Sequence, residues 1–102
     1  MIPMTLDQAR AYARERQAIT LRLKEVLIDC LALDKTPTDI PDDCLLFGIG
    51  LGLDSVDALE IVVAIESEFG LRIEDEHMKE IRSINSIVDL VQVGMRESHE
   101  VA

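Results

Sequence analysis

The sequence predicts an all-α fold: a small four-helix bundle of three main helices plus one short helix, with a long loop between helices 1 and 2. Three long segments repeat their apolar residues at helical spacing, and none sustains the period-two alternation of a half-buried strand. Prolines and glycines gather in the connection after the first of these segments rather than inside them. The chain has 102 residues, close to the modal size of one domain. Hydrophobic residues make up 48% and charged residues 29%, as in a soluble fold rather than a disordered one. Aromatics are only 3% (Tyr12, Phe47 and Phe69), so Ile, Leu and Val must build the core.

The first helix opens at Thr5, which stands three residues before Gln8 in capping-box spacing. Ile19, Leu23, Val26, Leu27, Cys30 and Leu31 then form a continuous stripe. Before Ile19 that stripe gives way to Arg10, Arg14, Glu15, Arg16 and Gln17, which predicts a helical extension over 1–18 ahead of the domain proper, 19–97. Residues 98–102 are expected to be a loose tail.

The connection 34–54 holds Pro37, Pro41, Gly48, Gly50 and Gly52, with Ile40, Leu45, Leu46 and Phe47 as its expected anchors. A loop this long in a small domain is usually functional or anchored. The second helix spans about Ser55 to Phe69 and is stopped by Gly70. A short helical turn is expected around Glu74 to Ile81. The last helix repeats Ile84, Ile87, Val88, Val91 and Met95 on one face.

The second helix carries two apolar stripes. Ala58, Ile61, Val62, Ile65 and Phe69 form the core face at about 100° per residue. Val56, Leu59 and Val63 lie on the far side beside Glu60 and Glu66. Such a second stripe either packs under the long loop or forms an apolar strip rimmed by carboxylates, suited to a basic-rimmed partner.

Charge distribution favours the second reading. Asp and Glu number 20 against 10 Lys and Arg, a formal charge of −10. No Lys or Arg occurs between Thr36 and Leu71, where Asp39, Asp42, Asp43, Asp54, Asp57, Glu60, Glu66 and Glu68 are all acidic. This balance argues against nucleic acid as a partner, because phosphate contacts need a basic footprint. It also argues against docking on anionic membranes, and the longest uncharged apolar run, Cys44 to Leu53, is too short for a membrane span. With no secretory signal, the chain is expected to be cytoplasmic, with Cys30 and Cys44 as reduced packing residues. Neither they nor His77 and His99 show metal-ligand spacing, so no metal is expected.

Asp54-Ser55 heads the second helix. Such a pair commonly serves only as a cap. As a self-contained nucleophile Ser55 lacks a promising base, because neither histidine is well placed. As an acceptor of a phosphate ester installed by another protein it is well placed, at the positive end of a helix with free N–H donors.

The stretch Phe47 to Gly70, FGIGLGLDSVDALEIVVAIESEFG, resembles the signature region of acyl carrier proteins. The similarity continues through Ile73, Glu74-Asp75-Glu76 and Ser83-Ile84, and covers roughly Ile19 to Gly94. The resemblance implies that Ser55 is esterified with 4'-phosphopantetheine taken from coenzyme A, with Asp54 as its motif partner. The arm's thiol then carries an acyl group as a thioester, and the protein presents that cargo rather than catalysing. Val56, Asp57, Leu59, Glu60, Val63 and Glu66 would form the partner-docking face. Ile65, Ile73, Met78, Ile81, Ile87 and Leu90 match positions that line an acyl-chain cavity.

The implied partners are a phosphopantetheinyl transferase and the acyl-loading and chain-extending enzymes of fatty-acid, polyketide or related lipid synthesis, with basic docking patches. The carrier itself is expected to be a monomer. Gly48-Ile49-Gly50 replaces the acidic residues common in the family, which predicts a less charged and more flexible approach to Ser55. Met78 replaces a small residue and would narrow the cavity. The alternatives are an aminoacyl or peptidyl carrier, or an unmodified acidic adaptor docking through the second helix.

Overall fold

The computed structural model describes residues 5–48 and 50–100, with side chains through Met95. Among them are three α-helices, α1 (Leu6–Cys30), α2 (Ser55–Phe69) and α3 (Ile84–Glu100). Two 3-10 segments, Pro37–Asp39 and Asp75–Glu80, complete the architecture. The second is the short helix expected near Glu74 to Ile81, wound more tightly than an α-helix.

Helix α1 starts as its sequence dictates. The Gln8 N–H donates to Thr5 Oγ1 at 3.1 Å, and the Thr5 N–H donates back to Gln8 Oε1 at 2.9 Å. The helix then runs unbroken across residue 18. At about 1.5 Å per residue it is ~37 Å long, which accounts for the 40 Å long axis of the molecule. Its polar early turns are clipped to α3: Arg16 Nη1 donates to Asp89 Oδ1 at 2.6 Å and to Gln92 Oε1 at 3.0 Å. Gln92, almost fully buried, donates in turn to Glu15 Oε1 at 3.3 Å. The polar run before Ile19 thus reaches α3 through hydrogen bonds rather than apolar contact. The expected boundary at 97 is crossed by α3, and residues 101–102 lie outside the described residues.

The core is aliphatic. Leu23 and Leu27 of α1, Ile61 and Ile65 of α2, and Ile84, Ile87, Val88 and Val91 of α3 are all fully buried. Helices α1 and α3 pack on each other, and α1 packs on α2. Two expectations fail. Cys30, placed on the α1 core stripe, is exposed because α1 ends there, at the rim of the bundle. Leu45, expected as a loop anchor, is 46% exposed, whereas Ile40 and Leu46 are buried. The backbone around Leu45 is the anchor instead. The Leu46 N–H donates to Arg82 O at 2.8 Å, and the Ile84 N–H to Cys44 O at 3.1 Å, pinning the loop to the start of α3.

Lys24 is 8% exposed, and nothing in the apolar spacing marks it as buried. Its stem lies in the bundle and its Nζ reaches Asp42 Oδ1 at 2.7 Å, tying α1 to the long loop. Across the molecule the Arg22 guanidinium donates to Glu68. That hydrogen bond, with the charge behind it, holds the Glu68 carboxyl below the usual carboxylate range. A carboxyl depressed in the folded state stabilises it above its unfolded pKa, and loses that contribution as pH falls through the folded one. Arg22→Gln is therefore expected to lower stability slightly at neutral pH and to leave it unchanged once pH falls below the folded pKa of Glu68, which flattens the acid limb, as melting temperature against pH will show.

Candidate functional site

Helix α2 has Asp54 as its N-cap. Asp54 Oδ1 accepts from the Val56 and Asp57 N–H groups, both at 3.0 Å, and Asp57 Oδ2 accepts from the Asp54 N–H at 3.0 Å. The helix closes on Gly70, whose φ of 65° is the left-handed conformation that glycine adopts without penalty. Asp54→Ala is expected to cost ~1 kcal/mol, several degrees in melting temperature, while Asp54→Asn keeps most of the cap.

Ser55 is the first residue of α2 and is exposed. Among the described residues no group hydrogen-bonds its hydroxyl. The donors expected to be free at this helix end are not all free, since Asp54 holds those of Val56 and Asp57. A phosphate ester on Ser55 would therefore find a capped helix end flanked by two carboxylates. His77 does not serve Ser55 as a base: it sits in the second 3-10 segment, where its Nδ1 accepts from the Glu74 N–H at 3.1 Å. The His99 side chain lies outside the described ones. Among the described residues no metal-binding cluster occurs, and no helix is long and apolar enough to cross a membrane.

The segment leading to Ser55 folds back on itself. The Leu51 N–H donates to Leu45 O and the Leu53 N–H to Leu46 O, both at 2.9 Å. Phe47 and Leu53 pair as an isolated bridge. The glycines expected to loosen this approach instead allow a tight turn: an added Cβ at Gly50 would lie 1.8 Å from Leu45 O.

Beyond Ser55, Val56, Leu59 and Val63 expose 63%, 63% and 65% of their surface. The long loop does not cover this stripe, which removes the reading that it packs there. Asp57 and Glu60 lie on the same side of α2. Glu66 has a structural task as well, its Oε2 accepting from the Ile73 N–H at 2.8 Å. Of the acidic residues between Thr36 and Leu71, Asp43 and Glu60 alone keep carboxylates without a hydrogen-bond or ion-pair partner among the described residues.

The six residues matched to an acyl-chain cavity gather in and around the core. Ile65, Ile81, Ile87 and Leu90 are buried, and Ile73 and Met78 are half-buried against them.

The family model for the phosphopantetheine attachment site matches residues 22–91. The chain belongs to the acyl carrier protein family. An acyl carrier protein from Petrotoga mobilis is 31% identical over 70 residues, which is 69% of this chain and 79% of that protein. One from Solidesulfovibrio magneticus is 31% identical over 75 residues, 74% of this chain and 92% of that protein. The crystal structure of an acyl carrier protein from Thermotoga maritima superposes with a TM-score of 0.65 at 30% identity, covering 81% of this chain and 93% of that one. The cofactor of this acyl carrier is 4'-phosphopantetheine, bound covalently. The site's chemistry fits it, because the Ser55 hydroxyl is exposed and has no hydrogen-bond partner among the described residues, which leaves it accessible to esterification.

Proposed function

We propose that Ser55 carries the 4'-phosphopantetheine arm, and that the protein delivers acyl groups between enzymes of fatty-acid synthesis without catalysing a reaction itself. The observation that supports this most directly is the division of labour in Asp54-Ser55. Capping falls to Asp54, and the Ser55 hydroxyl is left exposed and, among the described residues, uncommitted. When bound, the arm supplies a flexible reach ending in a thiol that holds the acyl group as a thioester.

The chain's own residues do the rest. Asp54 and Asp57 lock the first turn of α2 and so fix where Ser55 projects. Val56, Leu59 and Val63 offer an apolar strip to partner enzymes. Asp57 and Glu60 give that strip a negative rim, which attracts basic docking patches and raises encounter rates. Glu66 accepts from the Ile73 N–H through one oxygen, which braces this end of the face, and its charge adds to the same rim. Ile65, Ile73, Met78, Ile81, Ile87 and Leu90 are the aliphatic side chains that would part to shelter an acyl chain.

The test is intact-mass measurement of apo-protein incubated with coenzyme A and a phosphopantetheinyl transferase, followed by peptide mapping. One arm's mass should appear, on the peptide containing Ser55. An unchanged mass, or an arm on another residue, overturns the proposal.

A further inference from the structure

The apolar strip on α2 does not end at the helix edge. Leu59, Glu60, Val63, Ala64 and Ser67 form one wall of a shallow groove whose other wall is Cys30, the last residue of α1. Among the described residues no Lys or Arg lines it. Its one charged lining residue is Glu60, whose carboxylate has no partner among the described residues. Cys30 is fixed there by its thiol, which lies 3.7 Å from the Glu60 carbonyl oxygen. We infer that the partner contact extends off α2 onto the end of α1, and that this groove, walled by Cys30 and Ser67, receives an apolar side chain of a partner enzyme whose neighbouring cation meets Glu60.

This inference rests on α2 being the docking face, and it names the specificity pocket within that face. Charge complementarity selects the occupant. A groove with an apolar wall, one unpaired carboxylate and no cation favours an apolar anchor beside a Lys or Arg, and repels an acidic segment. The groove is also continuous with the exposed strip, since Leu59 and Val63 belong to both. Burial pushes the Cys30 thiol pKa up, and the charges of Glu60 and Asp57 push it further. The side chain thus stays a neutral thiol, which behaves as a small apolar wall rather than as a nucleophile.

The test is steady-state transfer of the arm to full-length apo-protein by a phosphopantetheinyl transferase. Cys30→Phe, which fills the groove, and Ser67→Lys, which sets a cation on the opposite wall, are expected to raise KM about tenfold with kcat nearly unchanged. Ser67 is exposed, so its variant reports docking even where Cys30→Phe perturbs folding. Val63→Glu separates the two readings. If it slows transfer while Cys30→Phe and Ser67→Lys run at the wild-type rate, the contact stops at α2 and the inference fails alone. If all three run at the wild-type rate, the docking face fails with it.

Discussion

Ser55→Ala is expected to take up no phosphopantetheine at all while folding as well as the wild type. The side chain is exposed at the first position of α2, and its hydroxyl makes no hydrogen bond among the described residues. Its removal orphans no buried group and opens no cavity. Alanine is also a better helix former than serine, so melting should shift by no more than ~0.5 kcal/mol equivalent. The cap stays in place because Asp54 supplies it. Loss of modification with an unchanged melting curve therefore isolates a chemical role. The opposite pattern, full mass gain with a lowered melting temperature, would make Ser55 a structural residue and move the attachment point elsewhere. An adaptor that docks through α2 without modification predicts that Ser55→Ala keeps every function, and the same variant decides against it when activity vanishes with the arm.

The helices were legible because their signals are local and redundant. The Thr5 and Gln8 box, the Asp54 cap, the Gly70 stop and the 3.6-residue stripes each act within a few residues. Together they place α1, α2 and α3. The second short helix was legible as an element, but its tighter winding was not. Pro37–Asp39 was not anticipated, although Asp39 accepts from the Thr36 N–H at 2.8 Å across one turn. Lys24 and Gln92 escaped because apolar spacing cannot register a polar residue that is buried by a long stem or by partners distant in sequence. Cys30 sits in phase with the α1 stripe, yet phase says nothing of where the bundle stops.

Charge was legible as composition and misleading as inventory. The acidic run from Asp39 to Glu68 reads as a uniform field, but the fold employs most of it. Asp42 meets Lys24, Glu68 meets Arg22, Glu66 takes the Ile73 N–H, and Asp54 and Asp57 cap α2. What remains along α2 is Asp54, Asp57, Glu60 and Glu66, none of which has a cation within ion-pairing distance among the described residues. A hydrogen bond from an N–H occupies a carboxylate oxygen without cancelling its charge, so these four carboxylates keep α2 negative from its first turn onward. The uncancelled charge is thus narrower than the acidic run in the sequence, and Glu60 is the member of the α2 set whose carboxylate has no hydrogen-bond partner among the described residues.

Gly50→Ala is expected to be the most damaging single-methyl addition near the site. An alanine Cβ there would fall 1.8 Å from Leu45 O, 2.5 Å from the Leu45 carbonyl carbon and 2.9 Å from its Cα. All three are backbone atoms, so no side-chain rotation relieves the overlap. The turn must open, and opening it breaks the Leu51 N–H bond to Leu45 O. It also strains the neighbouring Leu46 N–H bond to Arg82 O, which seats the fully buried Leu46. Overpacking of this kind costs ~1–3 kcal/mol, and a lost hydrogen bond adds ~1 kcal/mol. Gly48→Ala supplies the comparison. Its φ of 68° penalises a side chain by ~1–2 kcal/mol, yet nothing lies within 4 Å of the added Cβ. Urea melts should rank wild type above Gly48→Ala, and Gly48→Ala above Gly50→Ala. Because the displaced turn leads directly into Asp54 and Ser55, Gly50→Ala should also slow arm transfer at temperatures where the variant is still folded. Equal stability of the two variants would mean that the turn yields freely, and that Ser55 is positioned by the α2 cap alone.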